Sequence, residues 1–291
     1  MNKNGLAVSV IVVMIIIVIG FAILLIFYSQ IAWTGNIDRS VCHQSVVYRA
    51  TLPEFANSKD FVPLKCRTEK ICITSSFLGK CKEYEGAKGV TRIKVDNVKD
   101  IEKIISQEIL SCWETMGEGK LSLFNDFLAK SLALRSIKSS CVVCSRISFD
   151  DENLEKSKID KDKSDVFKYM ISHKVPNEEI SYYEKILGDK GNLNIKNEIN
   201  SKTSDEIAVV FSQILAPDNL NILTRVLSGL GLGLLTPYQV SFSIIENNII
   251  AGYCGDVKVG GDAKKGCSVV RTMNYNANDI SQFCGKIESI S

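Results

Sequence analysis

The chain has 291 residues, with 35 Lys and Arg against 33 Asp and Glu, and it contains ten cysteines. The formal net charge of +2 provides no basic field that would attract nucleic acid, so we expect no nucleic-acid partner. The length allows a sizeable hydrophobic core, and the cysteines are too sparse for a small scaffold held together by disulfides alone.

The first element in chain order is a run of 27 residues without a charged side chain, from Leu6 to Ala32. A helix rises about 1.5 Å per residue and a hydrocarbon core is about 30 Å thick, so roughly 20 apolar residues cross it. Tyr28 and Trp33 stand where interfacial aromatic residues are expected. The run is longer than the apolar part of a cleavable signal peptide. We therefore predict that residues 6–32 cross a lipid bilayer as one uncleaved helix, with a fully buried core helix as the alternative.

The orientation of this anchor rests on the cysteines, because Lys3 on one side is balanced by Arg39 and Arg49 on the other. An even number of cysteines, all beyond the anchor, is easier to explain as disulfides in an oxidising compartment than as free thiols. We expect residues 1–33 to form a cytoplasmic stub and the anchor, and residues 34–291 to form an extracytoplasmic domain at the cell surface. The disulfide candidates are Cys42, Cys66, Cys72, Cys81, Cys112, Cys141, Cys144, Cys254, Cys267 and Cys284.

The clearest helix of the remaining chain is predicted from about Val98 to Met116, where apolar residues recur at spacings of three and four. Asp96 or Asn97 can cap the start of this helix, and Gly117 can end it. Because the apolar residues form one stripe, we expect this face to pack against the core.

The other predicted elements follow from periodicity, β-branched residues and turn signals. Two shorter helices are predicted over 165–174 and 278–287. Strands are predicted over 141–149, 206–215 and 267–273, and a hairpin is predicted from 238–245 and 249–254. This mixture predicts an α+β fold, in which a single N-terminal transmembrane helix is followed by one disulfide-stabilised mixed α/β ectodomain.

The most charged segment, residues 150–165, carries eleven charged side chains in sixteen residues. Such a composition predicts a solvated, mobile loop or a linker. Seven cysteines precede the segment and three follow it. Because both numbers are odd, at least one disulfide must cross the segment if every cysteine pairs within the chain. We therefore predict one ectodomain, not two separate domains.

The motif Cys141-Val142-Val143-Cys144 has the spacing of redox-active cysteine pairs, which rely on a helix N-terminus to lower the thiol pKa. Two central valines favour an extended backbone, where residues three apart lie about 10 Å from each other and point to opposite faces. A disulfide tolerates only about 7 Å between Cα atoms. We therefore predict separate partners for the two cysteines, with a local reducible pair and metal binding as the alternatives.

Metal sites are not predicted from the remaining spacings. Structural zinc sites usually use two pairs of ligands spaced by two to four residues, and Cys141 with Cys144 is the one pair of this kind. The chain has two histidines, His43 and His173, too few for a site with three histidine ligands. We expect no metal, no cofactor and no catalytic residue.

Part of the pattern of a calcium-binding loop is present, since Asp160, Asp162 and Ser164 alternate as the first ligands of such a loop do. The match then fails, because Asp165 stands where glycine is needed and Ile171 stands where a bidentate glutamate is needed. We therefore interpret these residues as part of the charged segment.

A glycine-containing apolar stretch from Val226 to Leu235 is too short for a second membrane span. Close packing of this stretch within the core is one interpretation. The other is a contact with a partner or with the membrane, and the candidate residues for it are Val226, Leu230, Leu232, Leu234 and Leu235.

Three sequence blocks carry a family resemblance: Pro63-Leu64-Lys65-Cys66, Cys112-Trp113-x-x-Met116-Gly117-Glu118-Gly119-Lys120 and Cys141-Val142-Val143-Cys144-Ser145-Arg146. With these blocks the chain resembles a family of uncharacterised single-pass, cysteine-containing membrane proteins of small-genome archaea. The resemblance implies an anchored ectodomain on an archaeal cell surface, and it assigns no activity and no catalytic residue.

The function favoured by these observations is that of a membrane-anchored cell-surface protein with a binding or envelope-structural role. Its expected partners are the lipid bilayer, through residues 6–32, and a protein at the cell surface. The alternative is a membrane-anchored extracytoplasmic enzyme of thiol-disulfide or hydrolytic type.

Overall fold

The computed structural model describes residues 13–21, 36–52, 59, 62–124, 139–187, 192–194, 206–215, 240–245, 248–259 and 262–288. The chain divides into two compact units, Met1–Arg39 and Ser40–Ser291.

In the first unit, residues 13–21 are helical and exposed. Within the described ranges, no helix is both long and apolar enough to cross a membrane. Most of the predicted anchor, residues 6–32, lies outside the described residues, and so does the whole apolar stretch 226–235. Both assignments stay predictions.

The fold is a mixed α+β structure. Beyond residues 13–21, the described α-helices are α1 (Asn36–Thr51), α2 (Val98–Thr115), α3 (Asp151–Lys156), α4 (Val166–Ser172), α5 (Tyr182–Leu187) and α6 (Ala277–Phe283). The described strands are β1 (Glu69–Thr74), β2 (Val90–Lys94), β3 (Ser139–Phe149), β4 (Asn192–Asn194), β5 (Glu206–Leu215), β6 (Val240–Ile245), β7 (Asn248–Val259), β8 (Asp262–Asn274) and β9 (Cys284–Ile287). Two 3-10 turns, Lys82–Tyr84 and Lys161–Lys163, complete the described elements.

The described strands form one mixed sheet in the order β2-β1-β3-β5-β8-β7-β6-β4, and β9 pairs separately with β3. The central strands β3, β5, β8, β7 and β6 are antiparallel neighbours. Parallel pairs join β1 to both β2 and β3, β9 to β3, and β4 to β6. The predicted strands over 141–149, 206–215 and 267–273 and the predicted hairpin are confirmed.

Helix α2 covers one face of the sheet, as its apolar stripe predicts. Ile101, Ile105 and Ile109 are at most 2% exposed, and the ring of Trp113 lies 6.5 Å from that of Phe211 on β5. Burial of side chains of this size typically contributes about 1.5–3 kcal/mol each. The large hydrophobic core therefore lies between α2 and the sheet, and a smaller cluster around α6 lies on the other side of β3 and β5.

The ends of α2 are defined by local interactions. The Asn97 side chain accepts a hydrogen bond from the Asp100 backbone N–H, and the Asp100 side chain accepts one from the Asn97 backbone N–H, which completes a capping box. At the other end, Gly117 has φ +72°, a conformation that favours glycine. Of the two predicted caps, Asn97 is the one used.

Two predictions for short segments need correction. The helix predicted over 278–287 ends at Phe283, and Cys284–Ile287 forms strand β9, because Cys284 pairs with β3 and is bonded to Cys141. The charged segment 150–165 is not a plain loop, since it forms α3 and a 3-10 turn. Its two aliphatic residues, Leu154 and Ile159, are buried in the main core. The mobility of the segment stays a prediction.

Candidate functional site

The disulfide framework is the most developed feature among the predicted site residues. The four bridges with both cysteines described are Cys42–Cys66, Cys72–Cys81, Cys112–Cys144 and Cys141–Cys284. Their Cα–Cα distances run from 4.4 to 5.7 Å, within the usual range for disulfides. No cysteine among the described residues is free.

The bridges of Cys141 and Cys144 agree with the prediction of separate partners. On β3, Cys141 belongs to the cluster around α6, whereas Cys144 packs against the main core on the α2 side. The two side chains therefore leave opposite faces of one strand, as the alternation of an extended chain requires. Cys141 reaches Cys284 and Cys144 reaches Cys112, so the two cysteines are not a local redox pair.

The structure contains a disulfide across the charged segment, as the odd numbers of cysteines on its two sides predict. The Cys141–Cys284 bridge joins cysteines 143 residues apart and crosses the charged segment 150–165. Cys267 is also disulfide-bonded, and its backbone register partner across the β7–β8 pair is Cys254.

One aromatic and ionic cluster lies on the part of β3 that follows the cysteine motif. The Arg146 Nε donates a hydrogen bond to Glu206 Oε1 at 2.8 Å, and Arg146 Nη2 forms an ion pair with the same oxygen at 2.6 Å. The guanidinium lies 3.8 Å from the ring centroid of Tyr275 and 5.4 Å from that of Tyr84. The Tyr84 hydroxyl donates to the Arg146 carbonyl at 2.7 Å, and burial raises the pKa of Tyr84. The cluster joins four separate parts of the chain and is a structural contact.

Another buried polar group joins the turn after α2 to the sheet. Gln213 on β5 accepts a hydrogen bond from the Leu123 N–H at 2.8 Å and donates to the Leu121 carbonyl and to Ser268 Oγ at 2.7 and 2.8 Å. Ser268 in turn donates to the Gly119 carbonyl at 2.9 Å. Each polar atom of this network has a defined partner, which is the usual state of buried polar groups.

The two histidines and the calcium-like aspartates also have structural contacts. His43 lies 2.9 Å from the Thr115 carbonyl, and the His173 ring stacks on Tyr169 at 3.9 Å. The Asp160 side chain caps its own 3-10 turn by accepting from the Asp162 N–H at 3.1 Å. In the part of the chain that the structure describes, no group of three His, Cys, Asp or Glu side chains could hold a metal ion.

One exposed surface feature was not predicted from the sequence, and we call it the Phe77 loop (residues 75–80). Phe77 is 88% exposed and Leu78 is 80% exposed. The loop follows β1 and lies inside the Cys72–Cys81 bridge. A signal was present in the sequence, since two large apolar residues stand between serines and a glycine inside a nine-residue cysteine spacing.

The backbone of the Phe77 loop is held by hydrogen bonds to the segment that begins with Asp150. Asp150 Oδ2 accepts from Thr74 Oγ1 at 2.9 Å and from the Lys80 N–H at 3.0 Å. The Ser75 hydroxyl donates to the Asn153 carbonyl at 2.6 Å. The loop is thus fixed on its inner side while its two apolar side chains point into solvent.

Glycine is required at one position of this loop. A Cβ atom at Gly79 would overlap Thr74 Oγ1 and Asp150 Oδ2. Gly79 also donates its N–H to the Ser76 carbonyl at 3.1 Å, which closes the turn that carries Phe77 and Leu78.

No protein-family model matches the chain, and comparison with curated proteins and with solved structures finds no match either.

Proposed function

We propose that the chain is a membrane-anchored cell-surface protein whose disulfide-stabilised ectodomain has a binding or envelope-structural role. The observation that carries this proposal is that no cysteine among the described residues is free. Structural disulfides persist in oxidising compartments and are rare in a reducing cytosol. The cysteine usage therefore supports an extracytoplasmic location for the residues after the anchor.

Residues 13–21 support the anchor. They are helical, and all of them are exposed, including Val18 at 66% and Phe21 at 62%. A helix that presents apolar side chains on every side has no face suited to water. Together with the uncharged run 6–32, this exposure favours a lipid environment for the N-terminal segment.

The bridges of Cys141 and Cys144 favour a binding or structural role over thiol-disulfide catalysis. A thiol-disulfide enzyme needs an accessible cysteine with a reactive thiolate. Cys141 is 0% exposed and is bonded to Cys284, and Cys144 is bonded to Cys112. Both cysteines of the motif therefore connect distant elements of the fold.

The first test is a count of free thiols in the purified full chain under denaturing, non-reducing conditions. We expect a count near zero, and the same sample after reduction should give all ten cysteines. Two reactive thiols that map to Cys141 and Cys144 would overturn the proposal in favour of a thiol-disulfide enzyme.

The second test places the ectodomain relative to the membrane. Intact cells that express the full chain are treated with an amine reagent that does not cross membranes, and the labelled lysines are identified by mass spectrometry. We expect label on Lys156 and Lys158, which are exposed, and none on Lys3 until the cells are lysed. Label on Lys156 and Lys158 only after lysis would overturn the extracytoplasmic location.

A further inference from the structure

One disulfide differs from the other described bridges in its exposure to solvent. Cys144 is partly exposed, whereas every other cysteine whose side chain is described is buried, at 7% exposure or less. These buried residues are Cys42, Cys66, Cys72, Cys81, Cys112, Cys141, Cys267 and Cys284. The Cys112–Cys144 bridge therefore joins a cysteine that solvent reaches to a cysteine in the core.

The partial exposure of Cys144 coincides with an irregular part of strand β3. The register with β5 shifts between Val143 and Ser145, so Cys144 is the extra residue of a β-bulge. On the opposite edge of β3, the pairing with β9 ends at Cys141 and the pairing with β1 begins at Ser145. Cys144 therefore has no register partner in the described strands on either side of β3.

Access to one sulfur determines how a disulfide is opened. A thiolate attacks one sulfur of the bridge through a mixed disulfide, and the rate depends on access to that sulfur. A buried bridge becomes accessible only when the surrounding structure opens. The partly exposed Cys144 can be attacked in the folded protein, with the buried Cys112 as the leaving group. Because the exposure is partial, a small thiol fits this site better than the active site of another protein does.

We propose that Cys144 is a site of reversible exchange with a small thiol, and that the Cys112–Cys144 bridge is a redox-sensitive link. In the first step the small thiolate forms a bond to Cys144 Sγ, the Cys112–Cys144 bond breaks, and the Cys112 thiolate takes a proton from water. A second small thiol then attacks the mixed disulfide, which gives the Cys144 thiol and the disulfide of the small thiol. Attack of the Cys112 thiolate on the mixed disulfide reverses the first step.

Opening of this bridge removes the covalent link between α2 and β3 within a folded domain. The other bridges with both cysteines described are Cys42–Cys66, Cys72–Cys81 and Cys141–Cys284, and they stay closed. The apolar stripe of α2 also remains packed against the sheet. The inference goes beyond the proposed function, in which the bridges only stabilise the ectodomain, and it does not depend on the anchor.

The test treats the purified full chain with reduced glutathione under native conditions. Samples are quenched with acid at intervals, free thiols are trapped with a reagent that acts in acid, and peptide mapping identifies the state of each cysteine. The internal control is the Cys72–Cys81 bridge, whose cysteines are 0% and 4% exposed. We expect the glutathione adduct on Cys144 and the trapping reagent on Cys112, at a rate at least about tenfold above that of the control bridge.

Urea below the unfolding transition separates attack on the folded protein from attack after opening. It should leave the rate at Cys144 unchanged and raise the rate of the Cys72–Cys81 bridge, because only the buried bridge needs local opening. An adduct on Cys112 in place of Cys144, equal rates for the two bridges, or the same dependence on urea would overturn the inference. Thiols that react before glutathione is added would instead overturn the disulfide-stabilised ectodomain of the proposed function.

Discussion

Cys141 and Cys284 are bonded to each other with their Cα atoms 5.6 Å apart, although 143 residues separate them in the sequence. Their strands β3 and β9 are parallel neighbours, and the Glu288 N–H donates to the Cys141 carbonyl at 2.9 Å. The bridge therefore fixes the C-terminal segment to the centre of the sheet. It also links covalently the parts of the chain on either side of residues 150–165.

This link predicts the behaviour of a chain cut within the charged segment. A recognition sequence for a site-specific protease is inserted between Asp162 and Lys163, both of which are exposed. After cleavage, the two fragments should run as one species on a denaturing gel without reductant and as two species with reductant. Separation without reductant would contradict a bridge across the segment.

The control for this experiment is the Cys141→Ser/Cys284→Ser variant with the same insertion. Its fragments should separate on the denaturing gel even without reductant, because the other bridges with both cysteines described lie on the N-terminal side of the cut. Fragments of this variant that stay joined would show a second crossing bridge.

The contribution of each bridge to the free energy of unfolding should depend on the length of chain that the bridge closes. The Cys112–Cys144 bridge joins residues 32 positions apart in the sequence, and the Cys72–Cys81 bridge joins residues 9 positions apart. Restriction of the unfolded chain then makes the first bridge more stabilising by about 1 kcal/mol. We expect Cys112→Ser/Cys144→Ser to lower the free energy of unfolding in urea more than Cys72→Ser/Cys81→Ser does.

Double variants are compared here so that neither protein carries an unpaired thiol. An equal loss for the two pairs would contradict the chain-length argument, because burial does not distinguish them: Cys112 is 3% exposed and Cys72 is 0% exposed.

An element of the fold was predictable from the sequence where the residues that determine it lie within the element itself. Helix α2 was predictable because its apolar stripe and both of its caps lie within its own segment. The alternation of β3 was predictable for the same reason, and with it the separate partners of Cys141 and Cys144. Strand β9 was not predictable, because local propensity continues a helix there and the deciding contact is with β3, far away in the sequence.

The exposure of the Phe77 loop could not be predicted from the sequence for the same reason. An apolar pair after a strand usually predicts burial, and its exposure here depends on hydrogen bonds to Asp150 and Asn153. Those partners lie more than seventy residues further along the chain. The charged segment 150–165 was predicted as a loop because two aliphatic residues among eleven charged ones do not indicate burial, yet Leu154 and Ile159 both enter the core.

The register of β7 and β8 predicts the remaining bridge. Cys254 and Cys267 are directly opposite each other in this antiparallel pair, at a separation where cross-strand side chains meet. Non-reducing peptide mapping of the full chain should recover a peptide that links Cys254 to Cys267. Recovery of Cys267 linked to another cysteine would contradict this register.

The Arg146 cluster predicts that lysine cannot replace arginine at this position. The guanidinium donates a hydrogen bond to Glu206 through Nε, forms an ion pair with it through Nη2, and lies over the ring of Tyr275. Lysine keeps the charge but loses the planar group that makes these contacts. We expect Arg146→Lys to lower the free energy of unfolding by about 1–2 kcal/mol. Arg92→Lys on the exposed face of β2 is the matched control and should change stability little.

We expect the buried Tyr182 side chain to make the folded protein less stable at alkaline pH. It is 1% exposed, and burial, with a smaller effect of Tyr169, raises its pKa from 10.0 to about 12. The folded protein therefore holds the phenol proton more tightly than the unfolded chain does. The resulting stabilisation is complete below pH 10 and is lost as the pH rises through about 12, with roughly 1 kcal/mol lost by pH 11.

The measurement is urea unfolding of the parent and of Tyr182→Phe at pH 9 and at pH 11. Phenylalanine has no proton to lose, so the variant should lose less stability between the two pH values than the parent, by roughly 1 kcal/mol. Tyr48→Phe is the control, because Tyr48 is 60% exposed and its removal should leave the parent's pH dependence unchanged. An identical drop for Tyr182→Phe and the parent would show that other groups cause the alkaline loss.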